Sequence, residues 1–146
     1  MRLWHKDLIG VLPRQQLLSQ WRECCAIARN IAVNGTPNHI LVNPIMDYPV
    51  EKDFYMYCIN VMDEMTRRGY MINNQSYSNW YNNMNVATNY SSMEYNPNHI
   101  IFNGWHNNDY LTQCYYNLQE KYHRGGISDE EWIRIDSRYD MLIHSN

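Results

Sequence analysis

No apolar run in this chain of 146 residues approaches the ~20 needed to cross a bilayer, so a helical membrane span is excluded. Near the N-terminus Lys6 and Asp7 interrupt the apolar residues, and no secretory leader is read there; a cytoplasmic protein is expected. The four cysteines, Cys24, Cys25, Cys58 and Cys114, have no CxxC spacing, which removes the common zinc frameworks. Cys24 and Cys25 are adjacent inside a helical pattern, which argues against a disulfide scaffold. The thiols read as small buried apolar groups. Acids are scarce in the first third, where Glu23 is the only one between Asp7 and Asp47.

That scarcity divides the charge. Residues 1–46 hold Arg2, Lys6, Arg14, Arg22 and Arg29 against Asp7 and Glu23, a local balance of +3. The whole chain is −3, so the remainder is −6. A basic N-terminal third in an acidic chain suits a polyanion-facing surface or a merely solvated basic face. The length suits one domain with a core that needs no covalent staples.

The periodicity predicts an all-α fold, a compact single domain with long irregular connections. Residues 1–12 form an arm anchored by Trp4, Leu8, Ile9, Val11 and Leu12. Pro13 opens a helix over Arg14 to about Val33. At 100° per residue Leu17, Leu18, Trp21, Cys24, Cys25, Ala28 and Ile31 share one face. The other face collects Gln15, Ser19, Arg22, Glu23, Ala26 and Asn30, with Arg14 and Arg29 near Arg22 in angle, so that three guanidiniums line one edge. Gly35 suits a left-handed C-cap. A second helix is predicted from about Pro49 to Arg68, ended by Gly69.

Residues 73–108 contain twelve asparagines among many tyrosines, and asparagine favours turns over helix interiors. A short helix around Ser76–Met84 is predicted there, with loop around it. The tyrosines read either as base-stacking groups or as compositional drift, against which the scarcity of lysine counts. Further helices are predicted from Asn108 to about His123 and after Ser128, where Glu131 completes a capping box. Pro37–Asn43 echoes Pro97–Asn103. Two similar turn-plus-extended connections explain the echo; a metal site shared by the two histidines is the alternative.

Removal of a base from deoxyribose needs a nucleophile at C1′. An amine nucleophile yields a ring-opened imine, which permits β-elimination of the 3′-phosphate. An α-amine, with an ordinary pKa of about 7.7–8.0, is partly neutral at pH 7. A carboxylate must assist proton movement and stabilise charge developing at C1′, and arginines must hold the phosphates. Glu23, beside Arg22 and behind a short arm, has this character; an ordinary surface Arg–Glu pair is the plainer reading.

The stretch Gln15-x-Leu17-x-x-x-Trp21-Arg22-Glu23 resembles the N-terminal helix of the pyrimidine dimer DNA glycosylases of the phage endonuclease V type. The opening Met1-Arg2-Leu3-Trp4-His5, with Leu12-Pro13-Arg14-Gln15-Gln16-Leu17-Leu18 and Arg22-Glu23-Cys24-Cys25, resembles a bacterial and viral branch of that family. The likeness is clear over about the first thirty residues. Met65–Tyr70, His106–Leu111 and Asn117-Leu118 fit more loosely.

The resemblance implies a DNA repair glycosylase with abasic-site lyase activity. It implies attack by an N-terminal amine, a glutamate at Glu23, a flipped-out nucleotide opposite the lesion, and no metal or other cofactor. Met1 and Glu23 are then the expected catalytic residues. Arg2, His5, Lys6, Arg14, Gln15, Arg22 and Arg29 are the expected DNA contacts, with His5 either shuttling protons or simply stacked or exposed. The expected partner is double-stranded DNA carrying damaged bases, bound by a monomer near the nucleoid, or in the host cytoplasm for a viral chain. Three positions depart from the family pattern. Arg2 replaces a small residue and its bulk should keep Met1 in place, Gln16 replaces a histidine, and Ala26 replaces an arginine. A non-catalytic DNA- or protein-binding module on the same fold is the alternative.

Overall fold

A computed structural model describes residues 1–145, and every regular element among them is helical. A short 3-10 helix, Lys6–Val11, leads into α1 (Arg14–Asn34). A 3-10 turn, Asn43–Asp47, and a π-helical turn, Val50–Phe54, precede α2 (Tyr55–Arg67). Then come α3 (Asn74–Ala87), α4 (Asn108–His123) and α5 (Asp129–His144). Among the described residues no helix is long and apolar enough to cross a membrane.

Helix α1 is the central strut. Pro13 precedes it in an extended conformation and its carbonyl accepts the Leu17 amide at 2.9 Å. Gly35 closes the helix at φ 76°, its N–H returning to Ile31 O at 2.8 Å. That left-handed geometry is the one glycine adopts without strain. The buried stripe runs through Leu17, Gln20, Trp21, Cys24, Ile27, Ala28 and Ile31. The expected face is thus rotated: Leu18 and Cys25 are half-buried, while Gln20 and Ile27 lie inside. The rotation follows from two neighbours, the N-terminal arm on the Gln20 side and α3 on the Cys25 side.

The asparagine-rich segment holds a longer helix than Ser76–Met84. Asn73 caps α3 by accepting the Ser76 amide at 3.0 Å, and Trp80 and Met84 are buried. Trp80 packs on Trp21 with ring centroids 5.9 Å apart and stacks on Tyr55 at 6.0 Å. Burial of so large a side chain outweighs the weak helix propensity of its asparagine neighbours. Helices α4 and α5 pair through aromatics: Tyr115 stacks on Tyr139 at 3.9 Å and Tyr122 on Trp132 at 5.1 Å. The Ser128–Glu131 capping box starts α5 as expected, and Arg138 Nε ties that helix to Asp7 O at 3.2 Å.

The echoed segments are turns, without the extended stretch expected of them. They also differ from each other. His39 Nδ1 accepts the Leu41 amide, whereas His99 Nε2 meets the buried Asp53 at 2.8 Å. Asp53 Oδ2 also accepts the Phe102 amide, so this carboxylate organises the second turn and has no counterpart at the first. The two histidines do not converge, and no group of three metal-ligating side chains occurs among the described residues. The four cysteines are unpaired.

Candidate active site

The N-terminal arm is bound to α1 by one buried amide. Gln20 Oε1 accepts the Trp4 N–H at 2.8 Å, and Gln20 Nε2 donates to Arg2 O at 2.9 Å and to Glu23 Oε2 at 3.1 Å. Tyr57 completes the set, its hydroxyl proton shared between Trp4 O at 2.6 Å and Gln20 Oε1 at 3.0 Å. Every donor and acceptor of the Gln20 side chain is used, and the orientation of its amide follows from its partners. The arm therefore arrives at Glu23 in a defined register. The Arg2 amide lies 3.4 Å from Glu23 Oε2. Met1 follows at the surface, 39% exposed.

A second clamp holds the arm from the other side. His5 Nδ1 accepts the Asp7 amide, which leaves Nε2 to donate to His106 O at 3.0 Å. His106 Nδ1 in turn accepts the Lys6 amide at 2.9 Å. The two rings stack with centroids 5.2 Å apart, and Tyr110 gives its hydroxyl proton to Leu3 O. Burial lowers the pKa of His5, opposed by Asp7 and assisted by Lys6. Burial, with His5 and Lys6 nearby, takes His106 down to about 2. Both rings are neutral at pH 7.

The expected site residues separate into three groups. Arg2 and Glu23 come together through Gln20, with Met1 next along the chain; the sequence reading missed Gln20 because a glutamine next to a helix's apolar face looks like a surface residue. Arg14, Gln15, Arg22 and Arg29 lie exposed along α1. Arg22 rests on Ser19 Oγ at 3.0 Å and Arg14 lies over the Tyr70 ring at 5.3 Å. Arg14 and Arg29 are about 22 Å apart along the axis at 1.5 Å per residue, so the three guanidiniums form a spaced row rather than a cluster. The third group turns inward. His5 is only 3% exposed and belongs to the clamp, which corrects its expected place on a DNA-facing surface. Lys6 is half-buried and pairs with Asp7 at 3.1 Å, and the Arg2 guanidinium lies over Trp4 at 5.7 Å.

One turn beyond Arg22, a cleft of about 450 Å³ opens between α1 and α3. Cys25, Ala26 and Arg29 form one wall and Asn79, Trp80 and Asn83 the other. The Trp80 indole N–H is buried and has no hydrogen-bond partner among the described residues. Burial pushes the Cys25 thiol up to about 12, so it is a neutral, weakly polar part of the lining.

The Arg2 backbone is thus held against a helix carboxylate, with three exposed arginines spaced along the same helix. The sequence model of the pyrimidine dimer DNA glycosylases matches residues 1–78, just over half of the chain, and the chain belongs to that family. The match reaches well past the first thirty residues and includes α1, α2 and the start of α3. No curated protein and no solved structure matches the chain significantly.

Proposed function

We propose that the protein excises pyrimidine dimers from duplex DNA and cleaves the strand at the resulting abasic site, with the Met1 α-amine as nucleophile. The observation that carries this reading is the Arg2 amide on Glu23 Oε2, at 3.4 Å. The Met1 amine lies one peptide unit further out, about 3.8 Å between Cα atoms. In this reading the sugar C1′ is taken up between that amine and the carboxylate.

The amine lone pair attacks C1′ and the glycosidic bond breaks, its electron pair leaving with the base, which takes up a proton. Loss of a proton from the bound nitrogen and opening of the sugar give the imine. Removal of a C2′ proton then expels the 3′-phosphate, and water releases the amine. Glu23 stabilises the positive charge that grows at C1′ and exchanges the proton involved in ring opening. Arg22, with Arg14 and Arg29 further along α1, holds the phosphates, and Gln15 contacts the backbone beside them. Lys6 and Arg2 contribute positive charge behind the arm, and His5 acts through its position. The α1–α3 cleft is the place for the extrahelical nucleotide that the family resemblance implies. Its asparagine amides are the groups that would meet a base edge there.

Replacement of Glu23 by glutamine tests the reading. Glycosylase and strand-cleavage rates on UV-irradiated duplex should fall by at least about 100-fold while the dissociation constant for that duplex stays within a few-fold. Unchanged cleavage by the variant would refute the role of Glu23. A wild-type protein that binds duplex in a salt-sensitive manner yet never cleaves it would instead support a non-catalytic binding module.

A further inference from the structure

Away from Glu23, three elements meet around a second cleft, of about 550 Å³, whose walls carry four arginines. Arg14 comes from the start of α1, Arg67 and Arg68 from the end of α2, and Arg134 from α5. Among the described residues, two carboxylates attend them. Glu64 is taken by Arg67, through two guanidinium nitrogens, and by Arg68 Nε at 2.6 Å. Glu131 is occupied by backbone, accepting the Arg14 amide at 3.0 Å and the Ser128 amide at 3.1 Å. The cluster keeps two positive charges in excess in a chain whose net charge is −3.

The four guanidiniums do different things. Arg68 fastens the walls, reaching Leu12 O at 2.7 Å and Gly10 O at 3.2 Å. Arg67 is oriented by its two-point contact with Glu64, and Arg14 by the Tyr70 ring. Arg134 is exposed, and neither it nor Arg14 joins an ion pair among the described residues. Like charges held this close repel one another, and a bound anion relieves that repulsion. Planar forks of N–H donors around a cavity suit the tetrahedral oxygens of a phosphate better than a spherical anion.

We propose that this cleft binds a phosphate group, and that the group is a backbone phosphodiester of the duplex, gripped away from the reacting sugar. The choice of duplex as the source rests on the function proposed above; the phosphate chemistry does not. Arg14 precedes Glu23 by nine residues, about 14 Å along α1, so the grip is a separate contact from the one at the reacting nucleotide.

The test uses the full chain, two probes and two variants. Inorganic phosphate and an undamaged duplex are each titrated while the Nε–H resonances of Arg14 and Arg134 are followed by NMR. Both probes should shift both signals. Arg134→Gln should weaken binding of irradiated and undamaged duplex equally, by several-fold, and lower the slope of log affinity against log salt by about one. Arg134→Glu should weaken it further. Arg134 has an exposed side chain, and unchanged melting temperatures will establish that both variants fold. Silent arginine signals with both probes would overturn the site. A response to inorganic phosphate with an unchanged salt slope would overturn the duplex as its ligand and assign free phosphate. Imine trapping is read separately: its absence beside a responsive cleft refutes the catalytic reading alone, and its presence beside a silent cleft refutes the phosphate site alone.

Discussion

Gln20 and Glu23, three residues apart on α1, are joined by a hydrogen bond of 3.1 Å from Gln20 Nε2 to Glu23 Oε2. The same amide nitrogen holds Arg2 O at 2.9 Å. One buried side chain thus holds both the carboxylate and the backbone of Arg2 beside it. In the proposed reaction this positioning reduces the entropy lost on reaching the transition state.

Gln20→Ala should therefore damage stability and activity together. It leaves the Trp4 N–H and the Arg2 carbonyl without partners, at about 1–3 kcal/mol for each buried polar group left unpaired. Urea unfolding should register a loss of a few kcal/mol. At temperatures where the variant remains folded, kcat should fall more than KM rises, because the arm is no longer registered. Gln20→Glu should be at least as harmful, since a second carboxylate would face Glu23 and the Arg2 carbonyl. Wild-type kinetics in folded Gln20→Ala would remove the amide from the site.

The buried histidine pair predicts acid lability. His106 titrates at about 2 when folded and near 6.5 in an unfolded chain. Between those values the unfolded state binds more protons, so stability is fully present above pH 6.5 and declines as pH falls. The slope is up to about 1.4 kcal/mol per pH unit for His106, with a further contribution of the same sign from His5, whose folded pKa is also lowered. His106→Gln should flatten this dependence by about one proton in unfolding measured from pH 6.5 to 4.5. A wild-type stability that is level across that range would contradict the buried neutral pair.

Trp80→Ala should detach α3 from α1. Trp80 is 1% exposed and contacts Trp21, Tyr55 and Tyr77, so its truncation should cost about 3–5 kcal/mol. Hydrogen exchange should quicken first over Asn74–Ala87. Uniform quickening over the whole chain would mean that α3 is no separate unit.

Much of this fold is legible in the sequence because its helix ends carry local signals. Gly35 and Gly69 both take positive φ after their helices, and Ser128 with Glu131 forms the capping box that their spacing predicts. The Asn108–His123 helix has its predicted bounds. The length of α3 is not legible, because asparagine propensity points to loop while a tertiary contact through Trp80 decides for helix. In the candidate site, Arg22 and Glu23 read correctly as neighbours on a polar face, since that follows from helical period alone. Gln20 does not, because its burial depends on an arm that folds back over sixteen residues to Trp4. His5 is stacked, one of its expected alternatives, but the ring it stacks on, His106, lies 101 residues away and no local pattern pairs them. The arginine cleft draws on α1, α2 and α5, and no local pattern joins them.

The most direct measurement is borohydride reduction of the protein incubated with UV-irradiated duplex, followed by peptide mapping of the adduct beside the intact mass of the chain. The proposed chemistry predicts one covalent adduct per chain, on the α-nitrogen of a retained Met1, and its loss in Glu23→Gln. No adduct from an intact N-terminus, or an adduct on the side chain of Lys6 or another lysine, would contradict it.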